Sequence, residues 1–111
     1  MTLQWIYLLS AGGLEIIATT LFRYTEGLTR LGPTLGFCAV GLLSFYLLNR
    51  SINGQGAIPL GTAYAVWTGI GAAGTAFIGL TFYGEPSTTM RLVFLTLLIG
   101  SIIGLKFVSG T

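Results

Sequence analysis

Histidine is absent from this chain, and Cys38 is its one cysteine. A lone thiol excludes an intrachain disulfide framework. One thiol and no imidazole cannot supply a zinc or haem ligand set, so no metal and no cofactor is expected. Charge is scarce as well: 7% of the residues are charged, against roughly a quarter in soluble domains. Five Lys and Arg against three Asp and Glu leave a net charge of +2 without a basic cluster, so no nucleic-acid partner is expected. The chain also lacks a nucleophile–base pair and a phosphate-binding loop in a workable setting, which argues against an enzyme.

What is present is apolar. Hydrophobic residues make up 53% of the 111 positions and the mean hydropathy is +0.86. So few charges cannot cover a water-facing surface, and the chain reads as a membrane protein before any motif is considered. Spanning helices need about 20 mostly apolar residues. Four runs qualify, at about 3–22, 33–52, 58–83 and 88–108. Between them lie Arg23–Arg30, Asn49–Gly56 and the turn Gly84-Glu85-Pro86-Ser87. Pro33 suits the first turn of the second helix, where a missing N–H costs little. The first run lacks a basic leader and a small-residue cleavage site, so it is expected to stay as a spanning helix.

The expected fold is an all-α membrane protein, with one membrane domain over residues 1–111 and four transmembrane helices. One such bundle encloses little space, so a dimer of eight helices is the natural way to form a cavity. If loops alternate sides, Arg23, Arg30 and Arg91 face one side, and Arg50 and Lys106 the other. That bias is weak under the positive-inside rule, and it admits insertion in both orientations and an antiparallel dimer. Gly100 and Gly104 form a small-xxx-small pair in the fourth helix, suited to a dimer seam or to packing within the chain. Gly69-Ile70-Gly71-Ala72-Ala73-Gly74 has the spacing of a dinucleotide loop but lies inside an apolar span. It reads instead as a bendable zone of the third helix.

Glu15 asks for an explanation. It lies about twelve residues into the first run, near mid-membrane, where a charge costs roughly 2.5–3.5 kcal/mol on insertion scales. Such residues line pathways, and no Lys or Arg at similar depth pairs with this one. A carboxylate there holds a proton or a cation but not both well, which suffices to couple their opposite movements. In a dimer the two copies would titrate together. Leu8, Gly12 and Thr19 share its helix face. Thr19 could bond the carboxyl or back-bond to its own helix. Tyr64 and Trp67, one turn apart in the third helix, offer aromatic faces to an organic cation, and the Tyr64 hydroxyl could orient Glu15. Ser44 is a further polar candidate in the second helix. Trp5, Tyr7, Tyr24 and Tyr83 fit an interfacial belt.

Three segments together resemble the small multidrug resistance exporters: Leu14-Glu15-Ile16-Ile17-Ala18-Thr19-Thr20-Leu21, Glu26-Gly27-Leu28-Thr29-Arg30-Leu31-Gly32-Pro33, and Pro59 through Gly71 with its Gly61, Ala63-Tyr64-Ala65 and Trp67. The resemblance covers nearly the whole chain. It implies an antiparallel dimer in a bacterial inner membrane, with Glu15 binding proton and substrate alternately. It implies that Tyr64 and Trp67 line the pocket, and that the third helix bends at Gly69-Ile70-Gly71 for alternating access. Ala18-Thr19-Thr20 is similar to the quaternary-ammonium exporters, whereas guanidinium exporters usually carry Trp where Ala18 stands. Gly12, Ser44 and Ile103-Gly104-Leu105-Lys106 are similar to the guanidinium exporters. Such a mixture also resembles members that pair as non-identical subunits.

The leading expectation is a proton-coupled antiporter that exports organic cations such as quaternary ammonium compounds. The alternative is a selective guanidinium exporter, as a homodimer or as one subunit of a heterodimer. From another class, a small regulatory membrane partner fits the length, but the intramembrane acid speaks against it.

Overall fold

The computed structural model describes residues 2–108; Met1 and residues 109–111 of the expected domain lie outside the described residues. Four helices run α1 Leu3–Arg23, α2 Leu31–Ser51, α3 Leu60–Phe82 and α4 Thr89–Val108. At about 1.5 Å per residue each is close to 30 Å long, matching the hydrocarbon thickness of a bilayer. All four are long and apolar enough to span it. The bundle measures 40 × 36 × 18 Å.

The ends follow from local chemistry. α2 starts at Leu31, two residues earlier than expected, with Arg30 as N-cap and Pro33 in the first turn. The N–H that Pro33 lacks would have no intrahelical acceptor there, and the i→i−4 ladder opens with Thr34 N–H to Arg30 O. Pro59 is the N-cap of α3. Between α1 and α2 the chain reverses through Glu26, Gly27 and Leu28, with φ of 49°, 74° and 68°. Buried Thr25 ties this left-handed stretch down: its hydroxyl accepts from Leu28 N–H, and its carbonyl accepts from Thr29 and Arg30.

α1 packs on α2 and α3, and α4 packs along α3. Small residues set the approach. A Cβ on Gly12 would stand 2.8 Å from Ile70, and one on Gly69 would stand 2.7 Å from Ile102. The side chain of Ile16 occupies the space a Cβ on Gly74 would need. The core gathers near the start of α1: Trp5, Leu8, Ala11, Leu48, Ile58, Ala63, Val66 and Trp67. Trp5 is therefore not a belt residue; it is 1% exposed, under the Lys106 ammonium at 4.9 Å. At that end Gln4 donates to Asn53 O, and Arg50 donates to the hydroxyls of Tyr7 and Tyr46. At the opposite end the Tyr24 and Tyr83 hydroxyls are 2.6 Å apart, and Arg23 lies over the Tyr83 ring.

Candidate cation site

α3 builds the wall of the site. Tyr64, Trp67, Thr68, Gly71, Ala72, Thr75 and Ala76 recur at three- and four-residue steps, which places them on one helix face. That face lines an open cavity of about 510 Å³. α1 contributes Glu15 and Thr19 to the same cavity, and its far end is formed by Glu85 and Arg91. The structure thus brings Glu15, Thr19, Tyr64 and Trp67 together.

Glu15 is half-buried and makes no hydrogen bond or ion pair among the described residues. Its side chain lies against Gly71, where a Cβ would stand 2.8 Å from the glutamate Cγ. Gly71 is what lets the carboxylate lie along α3. Thr19 does not orient it. Its hydroxyl donates to Ile16 O at 3.0 Å, which uses its hydrogen, and so accepts from Thr75 at 2.6 Å. Nor does Tyr64 bond to Glu15: the residue is 55% exposed and its ring stands 5.6 Å from the Trp67 ring.

Ser44, Leu8 and Gly12 do not line this cavity. Ser44 is fully buried behind it, donating to Ala11 O at 2.7 Å and accepting from Trp67 Nε1 at 3.0 Å. Its hydrogen goes to Ala11 O and one lone pair takes the indole N–H, so in this arrangement it braces Trp67 from behind. Phe45 completes that support, 5.0 Å from the Trp67 ring. Leu8 is a core side chain, and Gly12 is the seat of Ile70. α3 runs through Gly69 and Gly71 as continuous helix, and both glycines are close-packing positions. Gly100 and Gly104 have open space before them, and no residue of α4 is buried.

Sequence reasoning missed Thr75, Gly71 as the seat of Glu15, and Glu85 with Arg91. The first two were legible, since Tyr64, Thr68, Gly71 and Thr75 follow one helical stripe. The last pair was not, because a turn decides where Glu85 lies.

The family model described as Small Multidrug Resistance protein matches residues 3–98. The chain belongs to the small multidrug resistance family. It is 42% identical to a guanidinium exporter of Proteus vulgaris, over 96% of this chain and all of that protein. A guanidinium exporter of Citrobacter freundii is 43% identical over 94% of this chain and 96% of its own. A protein of Bacillus licheniformis named "Probable guanidinium efflux system subunit GdnD" is 40% identical over 96% of this chain and its whole length. As a member of this family the protein is a multi-pass transporter of cations in the bacterial inner membrane. The relatives favour the guanidinium alternative over the quaternary-ammonium expectation, which drew on Ala18-Thr19-Thr20. Ala18 is fully buried and is not among the residues lining the cavity, so it is a poor reporter of what the site accepts.

Proposed function

We propose that this small multidrug resistance transporter exports guanidinium, or a small guanidinyl cation, in exchange for protons. The observation that carries this reading is the Glu15 carboxylate: it opens on the cavity without a partner of its own among the described residues. A planar guanidinium matches a carboxylate through paired N–H···O bonds. The rings of Tyr64 and Trp67 line the same space and attract a cation by about 0.5–2 kcal/mol. The proton and the cation compete for Glu15, so release of one accompanies uptake of the other. The names of the relatives support guanidinium as the cation.

The transporting unit in this reading is a dimer, with Gly100 and Gly104 of α4 as its seam, since their faces are open in the single chain. The Bacillus relative is named as a subunit of an efflux system, which supports a transporting unit of more than one chain. Gly69 and Gly71 serve as the positions where α3 shifts against Ile102 and Glu15 during access change.

The test is transport in sealed proteoliposomes under a pH gradient, with guanidinium and tetrapropylammonium compared. Guanidinium movement against proton movement, lost in Glu15→Gln, is expected. Transport of tetrapropylammonium in preference to guanidinium, or undiminished exchange in Glu15→Gln, overturns the reading.

A further inference from the structure

The cavity that holds Glu15 has a second carboxylate at its far end, and that carboxylate already carries a guanidinium. Arg91 Nη2 donates to Glu85 Oε1 at 2.6 Å, and both residues line the cavity. Arg91 is 31% and Glu85 39% exposed in their side chains, so the pair stands at the mouth, not in the core. The fold specifies where Glu85 lies. The turn after α3 brings its backbone N–H to Gly79 O at 3.2 Å, and its carboxylate rests on the face of Gly79, in the space a Cβ would occupy. Arg91 is held at two points, with a further bond from Nη1 to Pro86 O at 3.2 Å, so its guanidinium keeps one partner when Glu85 is released.

We infer that Glu85 is an outer acceptor for the transported cation, masked at rest by the Arg91 guanidinium and unmasked when substrate displaces it. This rests on guanidinium being the substrate. The chemistry is one of like for like: a free guanidinium offers the same planar fork of N–H donors as an arginine head. It can therefore replace Arg91 on Glu85 without leaving a carboxylate oxygen unpaired. A quaternary ammonium ion has no N–H and cannot. The mouth thus favours hydrogen-bonding cations before they meet Glu15, and Arg91 sets the threshold by competing with them. A half-exposed ion pair contributes little to stability, which suits a contact that must open in each cycle.

The two partners of the pair are distinguishable, because a structural latch and a masked site make opposite forecasts. In proteoliposomes under a fixed pH gradient, KM and kcat are measured for guanidinium with wild type, Glu85→Gln and Arg91→Gln. Glu85→Gln is expected to raise the guanidinium KM and Arg91→Gln to lower it, each by about two- to fivefold, the range an exposed ion pair supplies. Binding of tetraphenylphosphonium by the purified protein, which senses only the change of charge, is expected to move less than the guanidinium KM in both variants, and an equal change overturns the inference. If the two substitutions move the guanidinium KM in the same direction, or leave it unmoved, the pair is only a latch and the inference is overturned while guanidinium export stands. If wild type moves no guanidinium at all, both readings fall together.

Discussion

Gly71 and Glu15 meet across the α1–α3 seam so closely that a Cβ on the glycine would stand 2.8 Å from the glutamate Cγ. The carboxylate and the helix wall of the cavity are therefore one packing unit. Gly71→Ala is expected to displace the Glu15 side chain, at an overpacking cost of about 1–3 kcal/mol. Guanidinium affinity should fall by about tenfold, since roughly 1.4 kcal/mol is lost per decade. Isothermal titration of purified protein, beside a thermal melt, checks both.

Competition for Glu15 sets the sign of the pH dependence. The protonated carboxyl does not bind the cation, so apparent guanidinium affinity rises with pH. The rise approaches about tenfold per pH unit for exchange against one proton, and it flattens once the carboxyl is ionised. Glu15→Gln should bind weakly and without this slope. Equilibrium binding over a pH series gives the slope directly, and an unchanged slope in the variant would place the proton elsewhere.

Trp67 is aimed by Ser44. Ser44→Ala leaves the buried indole N–H without an acceptor, which costs about 1–3 kcal/mol. Trp67→Phe removes the donor together with the need for it. In the double variant the loss is expected to fall short of the sum by about 0.5–3 kcal/mol, the mark of a direct partnership. Unfolding in graded SDS for the two single variants and the double variant measures this, and strict additivity would sever the link.

On α4, Gly104 faces open space in the single chain. Gly104→Val should therefore leave the packing within one chain intact. In lipid, where association relies on close backbone approach, the same methyl groups should reduce the dimer fraction several-fold. Cross-linking in liposomes at graded protein-to-lipid ratios reads that fraction. A dimer fraction equal to wild type removes Gly104 from the seam.

Composition and hydropathy alone determined the membrane class and the four spans, because lipid forces every backbone polar group to be satisfied within its own helix. Helix ends moved by only a residue or two, as at Leu31, since a proline in a first turn leaves some freedom in where the cap falls. Glu15 was legible for the same reason as the spans: an acid deep in an apolar run is costly, and position along the run is visible in sequence. The pocket face of α3 could have been read further than it was, because helical period alone aligns Tyr64, Thr68, Gly71 and Thr75.

Tertiary structure decided the rest. Ser44 and Trp5 are a polar and an aromatic residue whose roles depend on which neighbour they meet, and helix pairing sets that. Ser44 proved to be the acceptor for Trp67, and Trp5 a core residue rather than an interfacial one. Thr19 had two possible acceptors; its hydrogen goes back to Ile16 O, and across the seam it accepts from Thr75. Glu85 came to share a cavity with Glu15 through a turn of a few residues, whose path no periodicity encodes. Sequence determines which side chains are costly to bury; only the packing of one helix on another determines which of them meet.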